Sequence, residues 1–186
     1  MPNIITRVAN GVKGGVTSAL SGAADIGGSV VGSVKDLTIS TLKETGELIS
    51  QGLDVPASIV QGAIAGVADV GGSVIGAVKG VVKGTVQGFM DQGGDQDVAV
   101  RGAVGQAIHS AKESGVSVVD AATESVKGAV EAVGEVGGDT AGALKSAVET
   151  AVATVGEVSG DAVDDVKNTL SSSVDGAKDV LDSIKN

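Results

Sequence analysis

ADIGGSVVGSVK at 24–35 returns as ADVGGSVIGAVK at 68–79 and, more loosely, as GEVGGDTAGALK at 134–145 and GEVSGDAVDDVK at 156–167. The offsets are all multiples of 22. In that register every 22nd residue from Asp25 is acidic: Asp25, Glu47, Asp69, Asp91, Glu113, Glu135, Glu157 and Asp179. Ten positions after the acid a base recurs at Lys35, Lys79, Arg101, Lys145 and Lys167, with Lys13 ahead of the series and Ala57 and Thr123 as exceptions.

Half of the unit is 11 residues, three helical turns, so the chain can be laid on a wheel of eleven slots. Five adjacent slots are apolar. They hold Val12, Val16, Leu20, Ile26, Val34, Leu42, Val60, Ile64, Val67, Val78, Val82, Val86, Ile108, Val126, Val130, Val148 and Val152, which form the candidate contact face. The neighbouring slot, with the base register, gives a basic boundary of Lys13, Lys35, Lys79, Arg101, Lys112, Lys145, Lys167 and Lys178. A β-solenoid with 22-residue coils is the rival reading, because Val and Gly are abundant. Period 2 does not divide 11, however, so a strand would swap faces at every unit while a helix keeps one. The expectation is an all-α protein of long amphipathic helices built from 11/22-residue repeats, folded back as a hairpin or bundle.

The apolar face fails at 91–97, where Gln92, Gly93, Gln96 and Asp97 fall in apolar slots. The sequence therefore predicts a first helical arm over 1–90, a turn at 91–97 and a second arm over 98–186. Pro56 marks a kink or a second turn at 52–56, since proline suits a first helical turn but kinks a helix interior. The paired small residues at 27, 71, 137 and 159 read as weaker breaks, costing helix stability without disturbing the period. Gly72, Gly76, Gly80, Gly84 and Gly88 form a ladder of small residues every fourth position, the kind of ridge on which two helices approach closely.

Composition narrows the function. Phe89 is the only aromatic residue, cysteine is absent, and 23 acids against 13 bases leave a net charge of −10. Aromatics usually build ligand pockets, thiolates bind metals, and nucleic acid demands positive charge, so no small-molecule substrate, cofactor or nucleic acid is expected. His109 has no second ligand and reads as a solvated residue. The carboxylates are spread around the repeat rather than paired for acid–base work, and Ser171–Ser173 has no neighbouring base. No enzyme is expected. No signal peptide is recognisable, and the longest uncharged stretch, Val55 to Ala68, is shorter than the roughly 20 residues of a spanning helix. A cytoplasmic or lipid-peripheral protein is expected.

Mean hydropathy of +0.30 means that something covers the apolar face. The 30 glycines, at roughly 0.9 kcal/mol each relative to alanine, cost on the order of 27 kcal/mol, so a bare helix is unstable and folding depends on the cover.

VGGSVIGAVKGVVKGTVQG at 70–88 and SGVSVVDAATESVKGAVEAV at 114–133 resemble the 11-residue repeats of synucleins and perilipins. The likeness is one of periodicity over most of the chain, and it departs where synuclein-like units carry KTKEG-type lysine pairs. Granule-coating phasins and late-embryogenesis desiccation proteins share the broad style. The resemblance implies a helix lying on a membrane, droplet or granule surface. Self-association is the alternative, in a bundle or filament that buries the same face against copies of itself, where an 11-residue period favours right-handed supercoiling.

Overall fold

The computed structural model describes residues 4–21, 26–45 and 54–184, and all the regular structure among them is helical. The helices are α1 (Ile4–Leu20), α2 (Ile26–Thr45), α3 (Asp54–Asp69), α4 (Val74–Asp91), α5 (Gln96–Glu113), α6 (Val118–Glu135), α7 (Thr140–Val158), α8 (Val163–Ser173) and α9 (Ala177–Ile184). A short 3-10 turn at Gly160–Ala162 leads into α8.

One 22-residue unit is one helix and one connector. Helices α4, α5 and α6 each have 18 residues, five full turns at 3.6 per turn, and four-residue connectors follow them. The four connectors from α3 to α7 are made the same way. A glycine with positive φ ends the helix at Gly71, Gly93, Gly115 and Gly137, where a side chain would be strained. The next amide donates back to a carbonyl five residues earlier: Gly72 to Val67, Gly94 to Phe89, Val116 to Ala111 and Gly138 to Val133, at 2.9–3.0 Å. Two residues past the glycine a side-chain oxygen caps the new helix. Ser73 accepts from the Gly76 amide, Asp95 from Val98, Ser117 from Asp120 and Asp139 from Gly142.

Residues 91–97, read as the one principal turn, are the end of α4, a connector and the start of α5. The breaks read as weak at 71 and 137 are equal connectors, so several short helices stand where two long helical arms with weaker breaks were expected. The reason is geometric. A 22-residue period survives whether units run on as one helix or each forms its own, because 18 helical residues return the face to its starting direction. Of the 52–56 segment, Gly52 and Leu53 lie outside the described residues. Pro56 sits in the first turn of α3, where its missing N–H leaves no helical bond unmade.

The helices form two layers. Helices α1, α3, α5, α7 and α9 pack side by side in one, α2, α4, α6 and α8 in the other, and consecutive helices pack across the gap. The core between them is Val, Ala, Ile and Leu, with Phe89 as its one ring. Within a layer the helices come close at glycine. A methyl group at Gly84 would lie 2.6 Å from the Val31 carbonyl oxygen, one at Gly66 2.9 Å from that of Lys13, and one at Gly128 2.5 Å from that of Lys79.

Other glycines only loosen the chain. A methyl group at Gly11 in α1 or Gly32 in α2 would meet nothing within 4 Å. Gly11→Ala and Gly32→Ala are each expected to raise stability by about 0.5–1 kcal/mol, read as a higher urea midpoint. A lower midpoint for both would mean that these helices are not formed.

Candidate functional surface

The residues expected to contact lipid or a partner are the core of this stack. Val12, Val16, Leu20, Val34, Leu42, Val60, Ile64, Val67, Val78, Val82, Val86, Ile108, Val126 and Val148 are all buried, and Val130 and Val152 are half-buried. The Ile26 side chain lies outside the described residues. The cover that the composition demanded is supplied by the chain's own helices. Ile184 is the one large hydrophobic side chain exposed among the described residues.

Four of the eight boundary bases, joined by Lys83, clamp helices together within the layers. Lys13 pairs with Asp69 at 3.0 Å, joining α1 to α3, and Lys35 with Asp91 at 3.1 Å, joining α2 to α4. Lys79 reaches Glu131 at 2.6 Å and Lys83 reaches Glu135 at 2.6 Å, joining α4 to α6. Arg101 bonds Asp97 on its own helix and Glu149 at 3.2 Å on α7. His109 is 3.9 Å from Glu157 and half-exposed. Lys178 pairs with Asp182 inside α9, while Lys112, Lys145 and Lys167 make no ion pair among the described residues.

The sequence reading missed the acidic half of these clamps, although the signal was in hand. Asp69, Asp91 and Glu135 all belong to the eightfold acidic register, and each meets a base two helices earlier. It also missed what the polar residues at 91–97 do. Gln96 and the backbone of Asp139 exchange two hydrogen bonds, at 2.8 and 2.9 Å, and Ser146 donates to Asp97, tying α5 to the start of α7. Of the glycine ladder, Gly84 and Gly88 make the close helix contact, against α2. Gly72 lies in a connector, and Gly76 meets only its capping Ser73. Gly62 and Gly66, one unit earlier, do the same for α1 and α3.

These clamps set a pH response. The hydrogen bond from Ser146, then that from Arg101, holds Asp97 below the usual carboxylate range. Lys83, helped by Gln87, does the same for Glu135, and Glu135 raises Lys83 in return. Lowered carboxylates contribute fully above the unfolded value, about pH 4, and their contribution is lost as pH falls through the folded one. That of Lys83 is complete below about pH 10.4 and is lost as pH rises through its raised value. A stability plateau between these limits is expected. Both carboxylates are half-exposed, so Asp97→Asn and Glu135→Gln should each cost under about 1 kcal/mol while flattening the acid limb of urea midpoint against pH. An acid limb unchanged in the double variant would contradict the pairing.

The chain matches no family model and no curated protein. Its chemistry is therefore read from its own surface. Among the described residues no three His, Asp or Glu side chains gather as a metal site, and no helix is long and apolar enough to cross a membrane. A shallow groove of about 150 Å³ runs between α3 and α5, lined by Gln61, Ile64, Ala65, Ser110, Glu113 and Ser114.

Proposed function

We propose that the protein is a non-enzymatic coat for a lipid surface, peripheral to a membrane, droplet or granule, which keeps its Val/Ala/Ile face closed inside the stack until it meets that surface. The observation that carries this reading is the make-up of the core: among the described residues, one amphipathic face recurs from unit to unit and is covered by the same face of other units. Such a cover is exchangeable. An apolar surface can replace it helix by helix, and the glycine connectors let helices swing apart without breaking their internal hydrogen bonds. Small side chains lower the cost of separation, because each Val or Ala gives up less contact than a large aromatic would.

Self-association is the second reading, favoured by the recurrence of one contact geometry along the layers. Gly62 rests on Ala9 and Gly84 on Val31, with the same 53-residue separation, so a helix from a second copy could meet the same seat. Flotation with neutral-lipid-containing vesicles, run beside sedimentation without lipid, tests both. Co-flotation of a protein that is monomeric in buffer supports coating. Sedimentation as an oligomer without any flotation would overturn coating in favour of assembly.

A further inference from the structure

The seams between neighbours in a layer are not equally held. The α1·α3, α2·α4, α4·α6 and α5·α7 seams each carry at least one ion pair between described residues, whereas α3·α5 carries none. The gap falls where the base register fails. Lys13–Asp69 and Lys35–Asp91 each join residues 56 apart, and the equivalent pair is Ala57 and Glu113, whose carboxylate has no cation opposite. The close glycine seat is lost there too. Gly62 and Gly84 are followed in the repeat by Gln106, and Gly66 and Gly88 by Ser110, with Gln106 donating to Ser110 inside α5. The groove of Gln61, Ile64, Ala65, Ser110, Glu113 and Ser114 runs along this seam, and a larger one of about 340 Å³ runs along the clamped α1·α3 seam, so it is the missing ion pair and glycine seat that set α3·α5 apart. Across the core, α4·α6 is the most heavily clamped seam, with Lys79 and Lys83 on Glu131 and Glu135, and Gln87 also on Glu135. The terminal seams of α8 and α9 also lack ion pairs, but they hold helices of only 11 and eight residues.

We infer that the stack opens at the α3·α5 seam with α4·α6 as its hinge, presenting the apolar faces of α3 and α5 to the lipid surface. This rests on the coating reading for what enters, but not for where the stack parts. Two glycine connectors, at 70–73 and 92–95, lie between α3 and α5 and absorb the movement. The opening needs no clamp to break, since α1 stays on α3 and α7 on α5.

Because the protein has no cysteine, single thiols report the seam without lipid. Ser110 and Ala132 are the same position of successive units, and both are buried. Ser110→Cys is expected to react with a small thiol reagent at least tenfold faster than Ala132→Cys. Adding Ala57→Lys, which supplies the missing cation for Glu113, should slow it severalfold. Equal rates, or faster reaction at Ala132→Cys, would overturn the seam whatever the protein does with lipid. In the second arm Gln61→Cys and Ser114→Cys are joined across the groove by a short, reducible bifunctional thiol reagent, and flotation with vesicles of phosphatidylcholine and triacylglycerol is measured. Loss of flotation by tenfold or more, restored by reductant, is expected. Undiminished flotation of the tethered protein would overturn opening at this seam. No flotation even after reduction, with fast Ser110→Cys labelling retained, would instead remove the coating reading and leave the seam standing.

Discussion

Val82→Asp is expected to abolish the fold in lipid-free buffer. Val82 is fully buried on α4, which packs against α2, α3, α5 and α6. An aspartate there has no cation to meet, and an unpaired carboxylate held in apolar surroundings costs several kcal/mol even after relaxation. Domains of this size have only about 5–15 kcal/mol of stability in total. Loss of about 4 kcal/mol or more would move the urea midpoint close to zero and leave a chain with little helix by circular dichroism. Val126→Asp should behave alike, because Val126 is equally buried on α6. His109→Ala, at a half-exposed site, should stay within about 0.5 kcal/mol. Were the apolar face covered only by lipid, Val82→Asp would leave the lipid-free state untouched.

Gly84→Leu is expected to have the next largest effect. The Val31 carbonyl and the Lys35 amide of α2 occupy the space that a side chain at Gly84 would need, and both are backbone, so no rotamer change can clear it. The two helices must move apart along their length, which strips contact from Val34 and breaks the Lys35–Asp91 clamp. Overpacking of this kind costs about 1–3 kcal/mol, and more where backbone is the obstacle. Differential scanning calorimetry of Gly84→Leu beside Gly32→Ala separates the two classes of glycine, with the first lowering the melting temperature and the second raising it. A raised melting temperature for both would mean that α2 and α4 do not meet at this residue.

The amphipathic face was legible from the 11-residue wheel because burial follows helix geometry, and buried Val12, Val16, Val60 and Val82 all stand where that wheel puts them. What covers the face was not legible. Lipid, a second copy and the chain's own helices all demand small apolar side chains at the same slots. The connectors were hidden for a related reason: a unit of 18 helical residues plus four preserves the phase, so periodicity is blind to reversals. The local signal was nonetheless present. Gly71 and Ser73, Gly93 and Asp95, Gly115 and Ser117, and Gly137 and Asp139 repeat a helix stop followed by a helix start. Weighing each glycine only as a propensity cost overlooked the capping oxygen two residues later. Likewise the acidic register was visible, but its basic partners are 52 to 56 residues away and become evident only once helices two apart are known to lie side by side.

Hydrogen exchange of the lipid-free protein, read by mass spectrometry at single-residue spacing from Val55 to Val158, tests the two-layer stack most directly. Slow exchange is expected within α3 to α7, interrupted by fast amides every 22 residues near the positive-φ glycines Gly71, Gly93, Gly115 and Gly137. Protection running unbroken through those four glycines would mean continuous arms. Uniformly fast exchange would mean that the chain does not cover its own apolar face, and either result would contradict the account.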